Sequence, residues 1–309
     1  HPSRKTALSF LLKALLVIGQ AQQKKVCFTV DALPTVSYGV GDYDHRLQII
    51  NGIIEAFKAF SVPAIGYVNE TKLYQKGKLV SLEVDLLEMW LSNGLELGNH
   101  TYAHLNFHEV AFEKFTSNIL KGERVSKPLA EKYGSPYKYF RHPYLRIGLR
   151  QSQVDSLQSF LATHGYVESP VTIDNDDYLF AVAYARAYKK DDQALMERIA
   201  TDYIDYMEAK LVYFEKQSIR LFGRPMDQTL LIHANYLNAQ HLKDLLKVYQ
   251  DHGYAFVSQS EVLKDEAYQH PVTKHGNWGI SWIDRWAISE GKSGDFFEGD
   301  PAVPGYIVE

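Results

Sequence analysis

The chain has 309 residues, 46% of them hydrophobic and 23% charged, with a formal net charge of −4. That length and balance fit a globular protein with a sizeable core. A mildly acidic chain carries no electrostatic footprint for nucleic acid or an anionic membrane surface. The single cysteine, Cys27, excludes an intrachain disulfide and a Cys-x-x-Cys zinc knuckle; set in an apolar run, it reads as a small buried hydrophobe.

In chain order, Arg4 and Lys5 precede the apolar stretches 7–12 and 14–18, and a polar exit follows at 20–25. This pattern reads as a secretory leader over residues 1–23, with an amphipathic first helix as the alternative. It predicts a secreted or periplasmic protein. No other segment approaches the roughly 20 apolar residues of a membrane span.

Strand-like runs then recur at Val26–Val30, Ala64–Val68, Leu95–Leu97, Tyr139–Phe140, Val171–Ile173, Thr229–Ile232 and Ala255–Val257. Helix-period patterns lie between them, near 46–60, 82–92, 112–133, 151–164, 193–216 and 239–252. Strands alternating with helices of this length mean βαβ units and a parallel sheet. The pattern predicts an α/β fold, a distorted (β/α) barrel of about seven parallel strands over residues 24–262. A helical insertion near 180–225 interrupts it, and a Trp-rich extension over 263–309 (Trp278, Trp282, Trp286) is expected to pack on it.

In such barrels chemistry gathers at the C-terminal ends of strands. With 12 histidines in the chain, the spacing His100-Thr-Tyr-Ala-His104 means little by itself. Its position means more. Asp31 follows the first strand, His100 and His104 the third, and Arg141-His142-Pro143-Tyr144 the fourth. Asp174-Asn175-Asp176-Asp177-Tyr178 follows the fifth, and His233 the sixth. Two imidazoles four apart at one strand end can converge on one cation. Blander roles are a surface ion pair for Arg141, a turn or cap for Asp177, and solvated or core positions for His108 and His142.

Taken in order, these segments resemble the five motifs of the polysaccharide deacetylase family, the NodB-homology or carbohydrate esterase family 4 fold, over roughly residues 24–262. Thr29-Val30-Asp31-Ala32 stands for its Thr-Phe-Asp-Asp, and His100-Thr101-Tyr102-Ala103-His104 for its His-Ser/Thr-x-x-His. Arg141-His142-Pro143-Tyr144 matches Arg-x-Pro-Tyr/Phe, Asp174–Tyr178 matches Asp-x-x-Asp-Trp, and Leu231-Ile232-His233 matches Leu-x-His. The resemblance implies a divalent metal on His100 and His104, zinc first and cobalt, nickel or manganese as alternatives. It implies Asp31 as the general base, oriented by Arg141, and His233 as the general acid, tuned by Asp177 with Asp174 as the other candidate partner. Tyr144 would offer its backbone N–H to the developing oxyanion. Pro143, Tyr178 and Leu231 would line the substrate site, with Tyr178 in place of the family's tryptophan.

One departure matters. At Ala32 the family has the Asp that is its third metal ligand, and a methyl group donates nothing. Three readings compete: a change that disables an otherwise complete centre, a scaffold that binds without catalysis, or a carboxylate of the next loop, Asp42 or Asp44, standing in. The intact remainder of the set favours the first. The expected function is removal of acetyl groups from N- or O-acetylated oligo- or polysaccharide, impaired by Ala32. The alternatives are hydrolysis of a small non-carbohydrate amide on the same fold and an inactive carbohydrate-binding member.

Overall fold

The computed structural model describes residues 23–309; apart from Gln23, the expected leader lies outside them. Strand β1 (Lys24–Leu33) is buried from Val26 onward and forms the centre of a seven-stranded sheet. Such a strand needs no alternation of polar and apolar residues, because both its faces are covered. Helix α1 (Tyr43–Phe60) follows, capped by Asp42, whose carboxylate accepts the His45 N–H at 2.6 Å. Its inner face carries Ile49, Ile50, Ile53, Ile54 and Phe57, spaced at three and four residues.

Strand β2 (Ile65–Val68) pairs in parallel with β1. A 3₁₀ turn, a short ribbon of β3 (Tyr74–Gln75) and β4 (Lys78–Leu79), and α2 (Ser81–Ser92) lead to β5 (Glu96–Asn99). Next come α3 (Phe112–Lys121), α4 (Ser126–Lys132), β6 (Tyr139–Phe140), α5 (Gln151–Thr163) and β7 (Val167–Glu168). The insertion consists of α6 (Asp177–Tyr188) and the 30-residue α7 (Gln193–Phe222). Strand β8 (Gln228–His233), α8 (Tyr236–Asp251) and β9 (Tyr254–Phe256) complete the sheet, and α9 (Gln259–Val262) and α10 (Trp282–Ser289) belong to the C-terminal part.

The strand order is β7-β6-β5-β2-β1-β8, all parallel, with β9 on the first residues of β1. The sheet is therefore a curled half-barrel with free edges rather than a closed barrel. Two local expectations need correction. The patterned run 112–133 is not one helix: it breaks at Gly122, whose Cα packs so tightly on the Thr101 backbone that a Cβ would lie 2.6 Å from it. The run Val171–Ile173 contributes only an isolated bridge from Ile173 to Leu230, and the strand lies earlier, at β7. Pro170 separates the two and has no N–H to extend the ladder.

Helices α1 and α8 cross where Gly52 meets Ala239, so closely that a Cβ on Gly52 would lie 2.6 Å from the Ala239 carbonyl oxygen. Cys27 is fully buried with Ile65, Tyr67, Tyr139 and Val262. Trp282 and Trp286 are buried in the main core, so packing is the use of those two rings. No described helix is long and apolar enough to cross a membrane.

Candidate active site

The ends of β1, β5, β6 and β8 surround a cavity of about 460 Å³, lined among others by Asp31, His100, His104, Tyr144, Tyr178 and His233. Strand pairing brings them together. Asp31 and His233 are register partners on β1 and β8. His100 follows β5, held by its N–H on the Val68 carbonyl at 3.1 Å.

The two imidazoles are set by backbone. The Arg141 carbonyl can only accept, so His100 donates Nδ1–H to it over 2.9 Å and leaves its Nε2 lone pair free, 3.7 Å from Asp31 Oδ2. Thr101 and His104 take positive φ values of 68° and 53°, and Thr101 Oγ1 receives the His104 N–H at 3.0 Å. This tight turn places the His104 ring edge-on to His100, centroids 4.7 Å apart, and to Tyr144 at 4.4 Å. Burial lowers both imidazoles, His100 well below its ordinary value and His104 to about 3. Both are neutral Lewis bases near neutral pH.

Asp31 is almost fully buried, and burial raises its carboxyl above the usual range, partly offset by Arg141. Arg141 Nε lies 3.9 Å from Asp31 Oδ1, at ion-pair range rather than hydrogen-bond distance. The guanidinium is anchored instead by Nη2 donating to Thr29 Oγ1 at 2.8 Å and Ser169 Oγ at 3.3 Å, above the Tyr67 ring. Arg141 is thus a fixed buried cation that orients the field around Asp31 without gripping it.

The partner of His233 is Asp177, not Asp174. Asp177 Oδ1 accepts His233 Nδ1–H at 2.6 Å, and Oδ2 accepts the His233 N–H at 2.8 Å and Asn238 Nδ2 at 3.0 Å. Burial alone would lower His233, but the Asp177 carboxylate outweighs it and the imidazole pKa is raised. Asp177 is the first residue of α6, so the insertion starts inside the site rather than beside it. Asp174 sits on the cavity wall, where burial pushes its carboxyl up to about 7.

Of the remaining predicted residues, Leu231 and the half-exposed Tyr178 and Tyr144 line the cavity, whereas Pro143 is buried and does not. Tyr144 and Leu145 form a turn with φ values of 57° and 52°. His142, set aside on sequence, lines the cavity too, bonded through Nε2 to Glu168 at 2.7 Å. Lys72 and Gly279 escaped the sequence reading. Gly279 contributes to the cavity wall. Lys72 donates its ammonium to the carbonyls of Ala32 at 2.6 Å and Thr35 at 3.0 Å, and burial lowers its pKa to about 8. No motif surrounds either residue, and only their contacts reveal them.

A catalytic zinc usually takes three protein ligands. Here His100 and His104 supply two, and position 32 supplies a methyl group. Asp42 is engaged in capping α1, Asp44 is exposed, and neither lines the cavity, so the substitution by a loop carboxylate is overturned. Among the described residues no group of three or more His, Cys, Asp or Glu side chains is arranged to hold a metal. The donor set does not fit a three-ligand centre.

The parallel half-barrel and its strand-end cavity define a class, the NodB-type α/β fold. Residues 19–159 match the family model of polysaccharide deacetylase, and this region carries Asp31, His100, His104, Arg141 and Tyr144. No curated protein sequence matches the chain. A solved peptidoglycan N-acetylglucosamine deacetylase is 15% identical over 79% of this chain and 90% of its own, with a TM-score of 0.52. A mutant of a carbohydrate esterase family 4 pseudoenzyme is 15% identical over 78% and 68%, at 0.50. A family 4 carbohydrate esterase from Streptomyces lividans is 16% identical over 77% and 94%, at 0.48. At these identities the likeness is one of fold.

Proposed function

We propose that this cavity hydrolyses the acetyl group of an N- or O-acetylated carbohydrate, and that Ala32 impairs it in the chain as it stands. The observation that carries the reading is the facing pair Asp31 and His233, one on each of two adjacent strands, above two neutral imidazoles. Burial makes Asp31 a stronger base than a solvated carboxylate, suited to take a proton from an attacking water. His233, whose pKa the Asp177 carboxylate raises, is suited to give a proton to the leaving amine or alcohol oxygen. Tyr144 and Tyr178 offer half-exposed rings to a sugar face. Because the donor set is incomplete, no step is assigned to a metal. A leader-like N-terminus fits a polymeric substrate outside the cytoplasm.

The missing donor at position 32 favours a second reading, an inactive carbohydrate-binding member. Acetate release from N-acetylglucosamine oligomers by the Ala32→Asp protein, with zinc or cobalt supplied, separates the two. Release supports the hydrolase; retained oligomer binding without release supports the binding member.

A further inference from the structure

The C-terminal extension does more than cover the core. Arg285 on α10 is fully buried, and its Nη2 donates to the Leu145 carbonyl at 2.6 Å and the Trp278 carbonyl at 3.1 Å. Leu145 and Tyr144 are consecutive non-glycine residues in the left-handed region, a conformation that persists only when its surroundings hold it. Gly279 lies against the same turn so closely that a Cβ there would be 1.9 Å from the Tyr144 carbonyl oxygen. A third tie runs through His108, whose Nδ1 meets Asn277 Oδ1 at 3.1 Å while its Nε2 accepts the Gly148 N–H at 3.1 Å. The far end of the segment is fixed to the strand-end loop. Ser281 Oγ donates to the Thr172 carbonyl at 2.6 Å, and the Trp282 N–H donates to the Val171 carbonyl at 2.8 Å.

We infer that residues 277–285 act as a clamp that sets the Tyr144–Leu145 turn against His104, with Arg285 as its positioning residue and Gly279 as the wall that keeps the turn in place. A carbonyl held by a buried guanidinium cannot swing, so the neighbouring ring and peptide plane stay where the cavity needs them. The catalytic consequence rests on the hydrolase reading of the cavity; the mechanical one does not.

The test uses the full chain with Arg285→Met, Arg285→Lys and Gly279→Ala, read by amide hydrogen exchange. Arg285→Met and Gly279→Ala are expected to speed exchange at the Leu145 and Arg146 amides about tenfold, as for one lost hydrogen bond. Exchange in β1 and β8 stays unchanged, and Arg285→Lys, which keeps a donor, restores the turn. Unchanged exchange at 145–146, or a uniform rise across the molecule, overturns the clamp. In the Ala32→Asp background, kcat is expected to fall by up to about 100-fold for Arg285→Met, the cost of misplacing a group at the reacting centre by about 1 Å, with KM raised because the displaced Tyr144 ring also faces the sugar. If Ala32→Asp hydrolyses acetylated oligomers and the clamp variants keep full kcat, the clamp's catalytic role fails and the hydrolase stands. If exchange responds as expected but no protein carrying Ala32→Asp hydrolyses anything, the clamp stands and the hydrolase reading fails.

Discussion

Asp31 and His233 are register partners across the parallel pair β1 and β8. The pairing that builds the centre of the sheet also sets the spacing of the two side chains proposed as proton acceptor and proton donor. A slip of one residue in either strand would turn its side chain to the other face of the sheet and part the pair. The core therefore fixes the chemistry's spacing, and each partner is tuned separately. Asp31 is raised chiefly by burial, and His233 is raised by Asp177 against burial.

This separation makes Asp177 testable by stability. The folded-state pKa of His233 lies above its ordinary 6.5, so the stability it contributes is present in full below pH 6.5 and declines as pH rises through the folded value. Asp177→Asn removes the charge that causes the shift. Urea unfolding from pH 5.5 upward, a range chosen at about one unit below the reference value, should show this pH-dependent loss in the parent chain. The slope should flatten in Asp177→Asn.

The acid–base assignment predicts a kinetic pattern in the Ala32→Asp protein. Asp31→Asn should lower kcat by about 10²–10⁴-fold and abolish the acidic limb of the pH–rate profile. His233→Gln should lower kcat comparably and abolish the alkaline limb. Steady-state assays across pH would expose a wrong assignment if the limbs were exchanged or retained.

The helix crossing gives a prediction independent of function. Gly52→Val would push a branched side chain into the Ala239 carbonyl and carbon atoms, already 2.6 Å from a single added Cβ. A loss of about 1–3 kcal/mol is expected from overpacking of this kind, measured as a lowered urea midpoint with unchanged slope.

Much of this molecule was legible from sequence. The apolar run Val26–Val30 gave β1, and the ionisable residues stand at strand ends as a barrel demands. Other features depended on contacts no local pattern encodes. α3 ends at Gly122, where the Thr101 backbone leaves no room for a Cβ, and after Pro170 only Ile173 of residues 171–173 bridges to β8. His142 resembled an ordinary core histidine until Glu168 and the cavity wall were placed beside it. Gly279 and Arg285 act on residues 135 and 140 positions earlier in the chain, a relation invisible to any window along it.

The backbone at Ala32 bears on the central claim. Its φ is 64°, in the left-handed region, where aspartate and asparagine are tolerated better than most residues. Ala32→Asp should therefore cost no backbone strain; without metal, the second carboxylate at this buried position beside Asp31 should lower the thermal midpoint, and added zinc should restore it. A loss of stability that zinc does not recover would show that the loop is not built for a carboxylate.

The most direct measurement is zinc stoichiometry and acetate release on the same preparations of the parent chain and Ala32→Asp, offered an N-acetylglucosamine oligomer. Weak zinc retention and negligible acetate are expected from the parent, and tight, near-equimolar zinc with sustained acetate release from Ala32→Asp. Equal zinc and equal acetate in the two proteins, whether both high or both absent, would contradict the assignment of position 32 as the missing donor.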